Sequence, residues 1–416
     1  MINRLLFLFS IVVCSCSTQQ SITTDQKPQE TLDQKAHRLA QELIITDGHV
    51  DLPYRLKIQN FKLAKEYLGI PIETDDGDFD YKRAKEGGLD APFMSIYLPS
   101  DLQKERGASR RLADSLITMV EGIASAHPSY FEVAHSVKDV ERITKTEKIA
   151  LPMGMENGSG IEDDISLVDY FKKRGISYIT LTHAKDNLIC DSSYDTTRTW
   201  KGLSPFGEEV VKEMNLVGIM VDISHVSDQS FYQVMELTDV PVIASHSSAR
   251  KYTPGFERNM DDAMIRKLGE ENGVIQINFG SSFLDKEVAD RINASRSELV
   301  SILKEKGLSR SDEAAKEIIE QYQKDHPVLL SDVHMVANHI DHVVQIAGID
   351  HVGLGSDYDG VGDTLPTGLK DVSTYPNLIK VLLERGYSEE DIAKICYKNV
   401  FRVWSAVEAY AANQSR

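Results

Sequence analysis

Short apolar runs that give way to a polar residue recur along this chain. Leu43-Ile44-Ile45 leads into Asp47-Gly48-His49-Val50-Asp51-Leu52-Pro53, and the run 93–98 stops at Pro99. The runs 148–155, 176–182, 217–224 and 240–245 lead to Glu156, His183, His225 and His246, while 273–279 ends at Gly280 and 351–356 at Asp357. Apolar stretches of this length bounded by breakers read as buried strands. Pro53 cannot donate to a ladder and is expected to stop the first strand there. Helical periodicity covers 108–126, with Leu112, Leu116, Ile117, Val120 and Ile123 on one side, and recurs at 165–173, 207–216, 227–237 and 261–269.

Eight strand candidates separated mostly by helices imply a parallel sheet with right-handed crossovers. Eight βα units predict an α/β fold, a closed (β/α)8 TIM-type barrel, whose active site lies at the C-terminal ends of the strands. A doubly wound open sheet is the alternative, but it would gather ligands at one switch point. Here chemistry-bearing residues stand around most of the rim. The charged, helix-prone stretch from about 281 to 327 reads as a helical insertion before the last strand, either over the site mouth or at a subunit contact such as a homodimer. The segment 399–411 reads as a closing helix that turns Val400, Val403, Trp404 and Val407 to the body.

Composition narrows the partners. The chain has 416 residues and a formal charge of −18, which argues against nucleic acid, whose phosphates need clustered Lys and Arg. Leu5 to Val13 is apolar apart from Ser10, too short to span a bilayer and suited to a secretion signal. Val13-Cys14-Ser15-Cys16 resembles a bacterial lipoprotein box with Cys16 as the lipidated residue. The expected layout is a signal over 1–16, a flexible tether over 17–36, and a metal-dependent hydrolase barrel over 37–416. Secretion across the inner membrane follows, with the protein held in the bacterial envelope only by the lipid on Cys16. Cys190 and Cys396 lack CxxC spacing and are expected to be free and buried.

The rim residues carry the chemistry. His49 and Asp51 lie two apart, so along a strand they face the same way. Together with Glu156, His225 and His246 they offer three imidazoles and two carboxylates, enough for two metals. Glu156 is the natural bridge, with His49 and Asp51 on one ion and His225 and His246 on the other. Nitrogen and oxygen ligands without thiolate suit zinc ahead of manganese or cobalt. Three protein ligands per ion leave room for water and substrate, and a water between two ions ionises near neutral pH.

With these motifs in hand, the chain resembles the membrane (renal) dipeptidase family of zinc peptidases. The likeness is carried by Asp47 to Pro53, Gly154-Met155-Glu156-Asn157-Gly158, Leu181-Thr182-His183, Asp222-Ile223-Ser224-His225-Val226-Ser227, Ser245-His246-Ser247-Ser248-Ala249, Arg258-Asn259 and Gly353-Leu354-Gly355-Ser356-Asp357-Tyr358-Asp359-Gly360, in family order from about Leu43 to Val407. The resemblance implies a binuclear zinc centre that hydrolyses dipeptides, with a C-terminal D-residue tolerated. It implies that His183 stabilises the oxyanion, that Asp357 is the acid/base, and that Arg258, with Asn259 beside it, holds the substrate's terminal carboxylate. Animal members are held by a C-terminal glycolipid, whereas this sequence ends Asn413-Gln414-Ser415-Arg416, so the anchor is expected at the N-terminus.

Several residues compete with this assignment. His334, His339 and His342 precede the last strand outside the barrel and are expected to be structural, as is His351. Asp359 rivals Asp357 but lies further past the strand. Other enzymatic readings are a barrel hydrolase acting on a β-lactam or an N-acyl amino acid. A solute-binding lipoprotein without activity is the non-enzymatic alternative.

Overall fold

In a computed structural model that describes residues 30–60, 71–310 and 312–414, eight parallel strands form the barrel. They are β1 (Ile45–Val50), β2 (Leu89–Tyr97), β5 (Met153–Glu156), β6 (Ile176–Thr180), β7 (Met220–Asp222), β8 (Ile243–Ser247), β9 (Val274–Ile277) and β10 (Val352–Leu354), paired in that order. A separate parallel pair, β3 (Phe131–Val133) and β4 (Ile149–Leu151), lies beside them. The ring closes just past β10, where Asp357 N donates to His49 O (3.1 Å) and Asp51 N to Tyr358 O (2.8 Å). Both strand faces are covered, so the strands are almost uniformly buried, as expected of a parallel sheet wrapped by helices.

The strand boundaries differ from the sequence expectation in instructive ways. The expected strand 148–155 is two strands broken at Pro152: its first part pairs with β3 and only its second joins the barrel. Pro53 ends no strand. The β1 strand has already stopped at Val50, and Pro53 occupies the first turn of the helix Leu52–Asn60, where a missing N–H leaves nothing unpaired. The helix Leu32–Glu42 starts inside the stretch expected as tether and buries Ala36, Leu39 and Ala40. The leader and the remainder of the tether up to residue 29 lie outside the described residues.

The far end of the barrel is stoppered by the helix Asn399–Gln414. Its Val400, Val403, Trp404 and Val407 are buried as expected. The Trp404 ring packs 5.2 Å from Phe93, and Phe93 packs 5.4 Å from Tyr178. Tyr178 in turn points its hydroxyl at the opposite, chemical end. The insertion resolves into the helices Ser281–Leu284, Lys286–Glu305 and Lys316–Asp325, with Leu299, Leu303, Ala315 and Tyr322 forming a small core of their own.

Candidate active site

One local device recurs, at an irregularity inside β1 and at the ends of β5, β7 and β9. The side-chain oxygens of Asp47, Asn157, Asp222 and Asn278 each accept from the backbone N–H two residues on, at 2.9, 3.1, 3.0 and 2.7 Å. This Asx turn bends the backbone and supplies a hydrogen bond where the ladder is interrupted or ends. Asn157 (φ 80°) and His225 (φ 69°), at two of these turns, and Asp357 (φ 63°), past the end of β10, take left-handed conformations rare for side chains with a Cβ. Such strain persists where surrounding structure enforces it, and it clusters at functional sites.

The five predicted ligands meet at this rim. Glu156 stands at the centre, with its Oε1 3.0 Å from His225 Nε2 and 3.2 Å from His246 Nε2. Its Oε2 lies 3.5 Å from His49 Nε2, which is 3.4 Å from Asp51 Oδ2. The central position expected for Glu156 is therefore present. The expected set Glu156, His225 and His246 meets within 3.2 Å, and the ligand atoms also group as His49, Glu156 and His246, as Glu156, His183 and His225, and as His49, Asp51 and Asp357.

The donor set fits a cation. His225 Nε2 and His246 Nε2 face each other at 2.9 Å, and both face the same carboxylate oxygen. His49 Nε2 and Asp51 Oδ1 are buried without a hydrogen-bond partner. Behind the imidazoles, other groups fix the ring orientation. Tyr178 donates its hydroxyl proton to Gly48 O (3.0 Å), so its oxygen accepts from His49 Nδ1 (2.9 Å). Ser245 donates to Asp222 Oδ2 (2.6 Å) and accepts from His246 Nδ1 (2.7 Å). In each case the N–H sits on Nδ1 and the Nε2 lone pair points into the cluster, as metal-ligating histidines require. Nothing in the sequence pattern marks Tyr178, Asp222 or Ser245 as orienting groups.

Burial and proximity set the charges. Burial opposes an ionised Glu156, but His49, His183, His225 and His246 around it hold its carboxyl well below the usual range. Burial pushes the His225 imidazole well down and that of His246 to about 3, leaving both neutral. Burial also disfavours a charged His49, yet Tyr178, Asp51 and Glu156 outweigh it and raise its affinity for a proton, at the position a cation would take. Asp357 is raised to about 7, chiefly by burial and with the Asp51 and Glu156 carboxylates adding to it, while Asn278 donates to its Oδ2 at 2.8 Å. A carboxyl of that kind can hold or release a proton near neutrality.

A cavity of about 900 Å³ opens over the cluster. Tyr54, Tyr97, Tyr194, Phe256 and Phe283 line one part, and the insertion helix Lys286–Glu305 supplies Lys286, Asp290, Asn293 and Arg296 to another. The insertion is thus a wall of the site. His183 lies on the cavity surface, with its Nε2 3.7 Å from Glu156 Oε1. Arg258 is buried, donates to Ser247 Oγ (2.6 Å) and His246 O (2.7 Å), lies over the Phe283 ring at 5.4 Å, and keeps its Nε unpaired.

Asn259 corrects the expectation of a substrate contact. It is fully buried, its Oδ1 accepts from Ser248 N, and its amide donates to Thr253 Oγ1 and Phe283 O, so it fastens the loop. Asp359 is paired with Arg55 at 3.0 Å. His339 bridges Ala249 N and Leu284 O, and His342 pairs with Asp262. Cys190 and Cys396 are free and buried.

A family model described as membrane dipeptidase (peptidase family M19) matches residues 33–416. The dipeptidase tcpJ of Claviceps purpurea is 32% identical over 375 residues, covering 88% of this chain and 78% of that protein. An uncharacterized dipeptidase of Schizosaccharomyces pombe is 31% identical over 389 residues, covering 91% and 84%. The crystal structure of the probable dipeptidase PvdM from Pseudomonas aeruginosa superposes with a TM-score of 0.75 at 25% identity, over 91% of this chain and 99% of that one. A metallo peptidase from Rhodobacter sphaeroides, liganded with a phosphinate mimic of the dipeptide L-Ala-D-Ala, shares the fold with a TM-score of 0.71 at 23% identity, over 88% and 99%.

Proposed function

Because the chain belongs to the membrane dipeptidase family of metallopeptidases, we propose that it hydrolyses the peptide bond of dipeptides, including those with a C-terminal D-residue, using two zinc ions. His49, Asp51, Glu156, His225 and His246 would hold the metal, with Glu156 shared. The observation that carries this reading is the meeting of His225 Nε2 and His246 Nε2 on one oxygen of Glu156, an arrangement that three neutral or anionic acceptors adopt around a cation. Bound there, two zinc ions would supply Lewis acidity and, between them, a water ionised near neutral pH as the nucleophile.

The remaining steps fall to the chain's own groups. His183, at the cavity surface beside Glu156, stabilises charge developing on the scissile carbonyl oxygen. Asp357 takes a proton and delivers it to the leaving nitrogen, a role supported by a carboxyl raised to about 7. Arg258 holds the terminal carboxylate, which restricts the reaction to dipeptides, since a longer chain has no carboxylate at that distance.

Metal analysis and a substrate panel test the reading together. The parent is expected to bind about two zinc ions per chain, and Asp51→Ala and Glu156→Ala to lose at least one. Turnover should stop with a chelator, return with zinc, and vanish when the substrate carboxylate is amidated. Turnover of a β-lactam or an N-acyl amino acid with no dipeptide cleaved would sink it.

We further propose that the enzyme is exported across the inner membrane of a bacterium and held in the envelope by a lipid on Cys16. The motif around Cys16 supports this, and no helix among the described residues is long and apolar enough to cross a membrane. Labelled palmitate should enter the parent and not a Cys16→Ala variant.

A further inference from the structure

The loop that follows β6 carries a second side chain into the cavity besides His183. Residues 192–194 are pinned to the rim from several directions. Ser193 N donates to His225 O (2.8 Å), Ser192 N to Asp186 Oδ1 (2.9 Å), and Tyr194 N to Ser192 Oγ (3.1 Å). Arg198 reaches back to the carbonyl of Ser192 and pairs with Glu257 on the neighbouring loop. So held, the Tyr194 ring leans on His225, with centroids 5.8 Å apart, and on Phe256 at 6.0 Å.

The hydroxyl of Tyr194 has no evident structural task. It makes no hydrogen bond to any described residue, although the tyrosine lines the cavity and its surroundings include charged groups. Tyr194 is 43 % exposed at the cavity wall; burial acts most on its phenol, and among the charges around it Arg258 acts first, then Asp357 and Glu156. Arg258 is the other group there with spare capacity. Two of its N–H groups are taken by Ser247 and His246, and its buried Nε has no partner. A guanidinium carries five donors and a carboxylate can accept about four hydrogen bonds, so a carboxylate between them can take both groups.

We propose that Tyr194 is a further substrate-binding residue, donating its hydroxyl to the terminal carboxylate of the dipeptide beside Arg258. The assignment rests on the dipeptidase reading above. The phenol is protonated at neutral pH, so the donor is present throughout the working range. The carboxylate is remote from the bond that breaks, so this contact is made alike in the ground state and the transition state. Its loss therefore raises KM and leaves kcat nearly unchanged.

The test uses the zinc-loaded full chain and Tyr194→Phe, which keeps the ring packing and removes only the hydroxyl. With dipeptides, KM should rise about tenfold with kcat within about twofold, the loss expected for one hydrogen bond to a charged group. Calorimetric binding of a phosphinate dipeptide mimic should weaken by a similar factor. The same mimic with its carboxylate converted to a carboxamide should bind parent and variant equally. Equal weakening of both mimics, an unchanged KM, or a fall in kcat alone overturns the assignment. A parent that cleaves no dipeptide overturns the dipeptidase reading, and the assignment falls with it.

Discussion

Tyr178 and His49 are joined at 2.9 Å through the phenol oxygen and Nδ1, across 129 residues of sequence. The same phenol donates to Gly48 O, so its acceptor side is committed to the histidine. Gly154 makes room for it: a Cβ there would lie 1.9 Å from Cζ of the tyrosine ring. Tyr178→Phe should keep the packing against Phe93 but free the His49 ring to rotate and change tautomer. On the proposed reading, affinity for the metal, read by chelator competition, is expected to fall about 10- to 100-fold. Stability should drop by only about 1–2 kcal/mol. Undiminished affinity would mean that His49 is not oriented by this contact.

The barrel and its rim are legible in the sequence for one reason. Strands covered on both faces become apolar runs, and the polar side chains of the cluster stand near where those runs end. His49, Glu156, His225 and His246 are visible on that basis alone. The supporting groups are not. Tyr178 inside Ile176–Thr180 looks like any buried aromatic, and the Ser245 hydroxyl matters only because Asp222, 23 residues earlier, lies opposite it. Asn259 misleads in the other direction: it sits beside Arg258 in the motif, yet all its polar atoms are used within the protein. Neighbours in sequence say which loop a residue belongs to and not which way its side chain turns.

Gly360 has no room for a side chain. A Cβ there would lie 2.2 Å from Asp357 Oδ1 and 2.3 Å from Asp51 Oδ2. Gly360→Ala must displace one or both carboxylates, and a misplacement of about 1 Å at a reacting centre costs on the order of 100-fold in rate. The expected variant is folded by circular dichroism, with kcat/KM down at least about 100-fold and weaker metal retention. Near-parental activity would show that neither carboxylate needs its present position.

Arg55 closes a buried clasp between two loops. It pairs with Asp359 at 3.0 Å and donates to Asp76 O and Phe79 O, while Asp78 N donates to Asp359 Oδ1 and Asp359 N returns a bond to Asp78 Oδ2. Burial pushes Asp359 up to about 7 even with the cation present. Arg55→Met strands that carboxylate and should cost about 3–5 kcal/mol in urea unfolding. Adding Asp359→Asn removes the stranded charge and should recover part of the loss. If the double variant is as unstable as the sum of the singles, the two side chains are not coupled.

The last prediction concerns Asp90, at the end of the barrel away from the chemistry. Burial raises its carboxyl from 3.8 to about 6, against the pull of Lys85 at 3.6 Å and the N–H of Ile45, with Glu147 adding slightly to the rise. The folded state therefore binds this proton more tightly than the unfolded chain does. The stabilisation is complete below pH 3.8, declines as pH rises toward about 6, and is lost above it. The full gap corresponds to about 3 kcal/mol, and solvent reaching the rim of the group reduces that to about 1–2. Asp90→Asn keeps an acceptor for Ile45 N and carries no charge. It should leave stability near pH 4 unchanged and raise it by about 1–2 kcal/mol at pH 7.5. Urea midpoints at the two pH values decide the matter: a difference between parent and variant that does not grow with pH would mean that the buried carboxyl is already neutralised by Lys85.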